Sequence, residues 1–212
     1  MTTPLRGLLF HITHISNLGS IVTDGLYCDS EMMDSQRSVM EIGHPDIKAG
    51  RRDRLVPLPP GGVVADYVPF YFAARSPMLY VIAQGSVPSY NDGQNQVVYL
   101  VTSVEAVRTH GLRFVFSDRN AALHYARYAD DPQLLDQHID WELMEARKWA
   151  NTLDEPDRME RRMAELLVHR HVPWQMIHRV VTKDEGLAQH ARNVLDSVPV
   201  TVPVHVEPGW YY

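Results

Sequence analysis

A chain of 212 residues, 45% hydrophobic and 22% charged, is long enough for one domain with a sizeable core and too apolar to be disordered. Its net charge of −6 excludes a generic basic nucleic-acid coat but not a local cationic groove, because only cations that touch phosphate release counterions. Lone Cys28 excludes an internal disulfide, the apolar run Leu8-Leu9-Phe10 is too short for a signal peptide, and no segment approaches membrane-span length, so a cytoplasmic protein is expected.

Residues 7–13 read as the first strand, mostly apolar through Leu8, Leu9, Phe10 and Ile12. Ser16 is placed to cap a short helix in which Leu18, Ile21 and Val22 share a face, and Gly25 ends it. Residues 29–66 carry little periodicity, several glycines and prolines, and the cations Lys48, Arg51, Arg52 and Arg54. So long an irregular stretch is expected to be functional or mobile. Residues 68–72 read as the second strand. In Ser76-Pro77 the serine is the N-cap and the proline the first position of a helix carrying Met78, Leu79, Val81 and Ile82. Residues 97–102 are the clearest strand, followed by a short helix from Ser103 and a strand over 112–116. Residues 117–163 are polar and partly helical, with Trp141 and Trp149 as anchors. Glu165 opens the next strand, Leu166-Leu167-Val168. A strand over 177–182, a helix over 185–195 and a terminal strand over 200–206 follow; Pro199 and Pro203 mark that last strand as an edge. No repeat or linker divides the chain, so one domain over 1–212 is expected. Strands and short helices without regular βαβ alternation predict α+β with a mixed or antiparallel sheet.

The common phosphate-binding and zinc signatures are absent. His11-x-x-His14 and His169-x-His171 lack acidic or thiolate partners at readable spacing, so no metal is expected. Arg158, Arg161 and Arg162 form a second basic cluster, which charge alone reads as salt-bridged surface. Glu165 is a carboxylate fixed at a strand end, where a side chain has a defined position. Such a residue is ordinarily solvated and contributes little to packing, so its removal is expected to leave the fold intact.

The ordered motifs do more than any one of them. They are His11-Ile12-Thr13-His14, Asn17-Leu18, Gly25-Leu26, Arg51, Pro69-Phe70-Tyr71-Phe72 and Arg75-Ser76-Pro77-Met78-Leu79-Tyr80. Phe116-Ser117-Asp118-Arg119-Asn120-Ala121-Ala122, Asp140-Trp141 and Ala164-Glu165-Leu166-Leu167-Val168 complete the set. In that order they cover most of residues 7–180, and the chain resembles the DarT family of DNA ADP-ribosyltransferase toxins from DarT–DarG toxin–antitoxin systems. The resemblance implies an ADP-ribosyltransferase (PARP-like) fold, with a central split sheet and short peripheral helices, that consumes NAD bound in a cleft. It assigns NAD binding to His11, Ile12, Thr13, Gly19, Leu26, Arg51, Tyr71 and Met78. His11 and Thr13 would hold the nicotinamide riboside side, and Tyr71 and Met78 would wall the nicotinamide. Glu165 would be the catalytic glutamate, with Arg51 as a second catalytic residue beside the reacting base. Arg75, Ser76, Pro77, Met78, Leu79 and Tyr80 would line the path of single-stranded DNA. Arg119 would contact DNA or merely pair with Asp118. The implied product is ADP-ribosylated thymidine, which would block replication until a DarG-type macrodomain antitoxin reverses it.

The residue types suit that chemistry. Cleaving the nicotinamide–ribose bond develops positive charge on the ribose, and a fixed carboxylate stabilises it. The resemblance assigns Arg51 the handling of the base's proton, but arginine is a poor base and is better suited to stabilising a developing base anion. Another base, RNA or protein as acceptor, simple NAD hydrolysis, and a non-catalytic binding module are the alternatives.

Overall fold

The structure is a computed structural model and describes residues 6–196, 198 and 202–212. The chain begins with β1 (Leu8–His14), α1 (Leu18–Asp24), β2 (Leu26–Tyr27), α2 (Asp29–Asp34) and α3 (Pro45–Asp53). Next come β3 (Tyr67–Tyr71), α4 (Pro77–Ala83), β4 (Val97–Ser103), α5 (Val104–Thr109), β5 (Phe114–Ser117) and β6 (Tyr128–Ala129). Three short helices follow, α6 (Leu135–His138), α7 (Trp141–Glu145) and α8 (Arg158–Arg161). The last elements are β7 (Glu165–His169), β8 (His171–Val172), β9 (Arg179–Thr182), α9 (Glu185–Leu195) and β10 (Val204–Val206).

Eight of the strands form one sheet in the order β10-β9-β4-β1-β3-β7-β5-β6, while β2 and β8 pair separately. Among the described residues only the β9–β10 pair is parallel, so the sheet is mixed, as the absence of βαβ alternation predicts. Both faces are covered, which explains the continuous apolar runs. Leu9, Val98, Leu100, Leu166 and Val168 belong to one core cluster, whereas their neighbours Phe10, Val97, Tyr99 and Val101 belong to a second and Leu167 to a third. Alternate residues of a strand point to opposite faces, and here each face meets a buried layer.

Several local expectations are met by their own physics. Ser76 caps α4 by accepting from the Leu79 amide, Pro77 opens it, and Ser103 caps α5 through Ala106. Gly25 ends α1 with φ +83°, and an added Cβ would run into His171 and the Val172 carbonyl, so only glycine fits there. Others need correction. His14 rather than Ser16 caps the first turn, a 3-10 segment over Ile15–Asn17, because its ring nitrogen accepts from the Ser16 amide. Residues 29–66 are not one irregular stretch. They hold α2 and α3, the latter begun by His44 as N-cap with Pro45 behind it. Their polar helices show weak periodicity because they wall a cavity rather than cover a core. The terminal strand is shorter than expected, Val204–Val206, and does lie at the sheet edge; Pro199, Val200 and Thr201 fall outside the described residues. No helix among the described residues is long and apolar enough to cross a membrane.

Candidate active site

Strands β1 and β4 pair along the whole of β1, and β3 pairs with β7 along all of β3. Between them, β1 and β3 share one register pair among the described residues, Phe10 with Tyr71. The sheet is therefore split, and a cavity of about 460 Å³ opens at the split, within the range of small-ligand sites. His11, Ile12 and Thr13 from β1, Pro69 and Tyr71 from β3, and Glu165 from β7 line it. Gly25 and Leu26 close one side, and α3 with residues 38–43 ahead of it closes another, bringing Lys48 and Arg51.

Glu165 is not solvated. Its side chain is 3% exposed, because β7 is an interior strand flanked by β3 and β5, and its register partners are Tyr71 and Ser117. Arg51 Nη1 donates to both carboxylate oxygens, at 3.0 and 2.9 Å, and the Ala121 amide donates to Oε1 at 3.0 Å. This corrects the expectation that the residue contributes little to the folded state. Removing one member of a buried ion pair leaves the other charge uncompensated, which typically costs about 3–5 kcal/mol. Burial opposes the charge on Arg51, but the Glu165 charge and hydrogen bonds outweigh it, and its pKa lies above the ordinary arginine value. The Glu165 carboxylate thus favours the charged form of Arg51. Its Nη2 is buried without a partner, a donor left available to a ligand.

Tyr71 is also held neutral, pushed up by burial and by the Glu165 charge, and its hydroxyl lies 3.5 Å from Met78 Sδ, so both expected nicotinamide-wall residues stand together. His11 Nδ1 lies 2.9 Å from the Pro69 carbonyl, across the split. A carbonyl only accepts, so Nδ1 carries the hydrogen and Nε2 is the acceptor of the neutral ring. Gly19 stands apart: it is exposed on α1 and does not line the cavity.

Burial is the largest cause lowering the pKa of His11, His14, His169 and His178 below 6.5. The unfolded chain then binds protons at pH values where the folded chain does not. These groups leave stability unchanged well above 6.5 and erode it as pH falls below 6.5. Denaturant melts at about pH 7.5, 6.5 and 5.5 should show the midpoint falling across the last interval; a constant or rising midpoint there would contradict these shifts.

The proposed DNA-path residues divide. Tyr80 is exposed, with its ring edge-on to Trp149 and Tyr212. Ser76, Pro77 and Leu79 are buried and serve α4. Arg75, at φ +54°, donates from Nη1 to the Tyr211 carbonyl and places its guanidinium 4.1 Å from the centre of the Tyr212 ring. Residues Trp210, Tyr211 and Tyr212 thus pack inward against the core rather than project from it. Arg119 does pair with Asp118 at 3.3 Å, and also with Asp157 and Glu160. Among the second basic cluster, Arg158 and Arg161 form the expected ion pairs with Glu155, Asp157 and Asp140. Arg162 departs from that reading: it is buried, donates to the carbonyls of Leu143, Met144, Ala146 and Ala74, and burial pushes its pKa down to about 10. It joins the loop after β3 to the segment that leads into Glu165.

Sequence reasoning missed several members of the site. The Ala121 amide has no side-chain signal at all. Asn17 was visible only as part of a motif, with no role attached. Asp29, Glu41 and Lys48 line the cavity as one ion-paired group, with Lys48 Nζ 3.0 Å from Asp29 and 2.6 Å from Glu41. Among the described residues no group of three or more histidine, cysteine, aspartate or glutamate side chains could hold a metal ion.

Comparison with known proteins accounts for this arrangement. The family model described as "ssDNA thymidine ADP-ribosyltransferase, DarT" matches residues 10–212. A DNA ADP-ribosyl transferase of Thermus sp. (strain 2.9) is 39% identical over 214 residues, covering 100% of this chain and 99% of the relative. Thermus sp. 2.9 DarT solved in complex with ADP-ribosylated ssDNA superposes with a TM-score of 0.91 at 36% identity, covering 100% of this chain and 99% of that one. The same Thermus protein in complex with NAD+ superposes with a TM-score of 0.86 at 36% identity, with 100% of both chains covered. A split mixed sheet, a cavity at the split and a buried glutamate at its base therefore have one explanation: this chain belongs to the DarT family of NAD-dependent DNA ADP-ribosyltransferases.

Proposed function

We propose that this protein, acting as one domain, transfers ADP-ribose from NAD to a thymidine base of single-stranded DNA. The observation that carries this reading is the Glu165 carboxylate, buried at the base of the cavity and held by Arg51 and the Ala121 amide. The Thermus relatives, solved with NAD+ and with ADP-ribosylated ssDNA, supply the substrates that such a cavity would take. The unpartnered buried Arg51 Nη2 and the neutral His11 ring fit a polar dinucleotide.

In the reaction the bond between the nicotinamide nitrogen and ribose C1′ breaks, and a bond from C1′ to a base nitrogen forms. Nicotinamide leaves neutral, and the base nitrogen releases one proton. Glu165 stabilises the positive charge that develops on the ribose and accepts hydrogen bonds from its hydroxyls. Tyr71 and Met78 wall the nicotinamide, His11 and Thr13 hold its riboside, and Ile12 and Leu26 line the NAD cavity. Arg51, fixed as a cation, stabilises the base as its nitrogen loses the proton; solvent takes the proton. Tyr80 offers an exposed ring to an unpaired base, and the loop before Glu165 shapes the face that DNA meets. The protein acts in the cytoplasm as the toxin of a toxin–antitoxin pair, and a DarG-type macrodomain antitoxin removes its product.

The base must leave its stack to reach ribose C1′, so unpaired DNA avoids the unpairing cost. Labelled NAD incubated separately with single-stranded DNA, duplex DNA, RNA and protein should label the single-stranded DNA pool strongly, with binding that weakens as salt rises. Equal labelling of duplex and single strand, or labelling confined to RNA or protein, would overturn the assignment.

A further inference from the structure

Residues 38–43, between α2 and α3, form a strap without regular structure. Val39, Glu41 and Gly43 of this strap line both the active-site cavity and a second cavity of about 490 Å³. Among the described residues, Met40 is the strap residue whose backbone is hydrogen-bonded, and Asn17 makes both bonds. Asn17 Oδ1 accepts from the Met40 amide at 2.8 Å, and its Nδ2 donates to the Met40 carbonyl at 3.0 Å. Nδ2 also donates to Thr13 Oγ1 at 3.1 Å. These bonds use both amide hydrogens and the oxygen.

Two further features show that this is a committed arrangement. Asn17 occupies the N-cap of α1, where an asparagine ordinarily accepts from the first helical amides, yet it makes no side-chain cap bond. Its side chain faces the strap instead, and the residue is buried at 8% exposure. Thr13 lines the cavity, and its Oγ1 receives a hydrogen from Asn17, so its own hydroxyl hydrogen remains free for another acceptor.

We propose that Asn17 is a positioning residue for NAD binding, latching the strap as a cavity wall and orienting the Thr13 hydroxyl to donate into the cavity. This rests on the NAD reading above and adds the residue that prepares the binding surface. Asn17 does not touch Glu165 or Arg51, so its loss should weaken binding rather than chemistry. Leaving buried partners unsatisfied and a wall unlatched is expected to raise the KM and Kd for NAD about tenfold or more. The kcat at saturating NAD should stay within about threefold of the parent, because the groups that stabilise the transition state are untouched.

The test compares Asn17→Ala, Asn17→Asp and Thr13→Val by NAD calorimetry, steady-state kinetics and amide hydrogen exchange. Asn17→Asp is nearly isosteric and keeps the acceptor for the Met40 amide, but it sets a second acceptor against the Met40 carbonyl. It should lose NAD affinity much as Asn17→Ala does. Met40 exchange should accelerate in Asn17→Ala while amides of β4 keep their protection, which separates a released strap from a destabilised fold. Asn17→Ala added to Thr13→Val should cost less affinity than it does alone, since part of its effect runs through Thr13. The proposal is overturned if both Asn17 variants bind NAD as the parent does, if they lower kcat with KM unchanged, or if Met40 exchange is unaltered. Should Asn17→Ala fail to fold, Asn17→Asp and Thr13→Val decide by the same affinities. A parent protein that binds no NAD would instead defeat the functional reading itself.

Discussion

Glu165→Ala is expected to lower ADP-ribose transfer about 100- to 1000-fold, the usual effect of removing one group that stabilises transition-state charge. The same substitution should also destabilise the protein, because Arg51 is 8% exposed and would be left as a buried cation without its carboxylate. Breaking such a pair typically costs about 3–5 kcal/mol, a large share of a domain's stability. Glu165→Gln separates the two effects. Its amide oxygen can still accept from the Ala121 amide or from Arg51, so the fold is better preserved while the negative charge is gone. Transfer and NAD hydrolysis should both collapse in Glu165→Gln, with a melting temperature closer to the parent than that of Glu165→Ala. Near-parental turnover in folded Glu165→Gln would show that the charge of this carboxylate does not drive the reaction.

Arg51→Ala should reduce DNA transfer about 100-fold or more, comparable with losing one donor to a developing anion. The geometry also ties Arg51 to NAD cleavage, because Arg51 Nη1 donates to both oxygens of Glu165. Hydrolysis of NAD should therefore fall too, but less than transfer. Arg51→Lys keeps a cation but offers no planar fork to fill both the Nη1 and Nη2 positions, so it should restore only part of the loss. In a double-mutant cycle, Arg51→Ala with Glu165→Gln should be markedly less damaging than the sum of the single losses, since the two residues act as one unit. Calorimetric titration with NAD discriminates a competing role. If Arg51 Nη2 binds the NAD diphosphate, Arg51→Ala loses most NAD affinity along with hydrolysis, and the role beside the target base fails.

Much of the architecture was legible from the chain because its causes are local. Ser76-Pro77 specifies the start of α4, Ser103 the start of α5, and Gly25 the end of α1, since caps, proline and positive φ act within a few residues. The apolar runs of β1, β4 and β7 and the absence of βαβ spacing point to a mixed sheet in an α+β fold, and the ordered motifs point to the family. Identity of Glu165 and Arg51 as a pair was not legible, because 114 residues separate them and no spacing rule relates α3 to β7. The same limit explains why Glu165 reads as a solvated strand end: only the flanking β3 and β5 show that β7 is interior. Ser76, Pro77 and Leu79 share a motif with exposed Tyr80, yet the way α4 packs decides that they face inward. Backbone donors such as the Ala121 amide carry no side-chain signature. The Asn17–Met40 latch likewise exists only because the turn after β1 brings an otherwise ordinary helix-capping residue against a strap 23 positions away. Sequence determines residue type and local conformation; which buried charges and donors meet is settled by strand order and by the placement of α3 along the cavity, where Arg51 reaches Glu165.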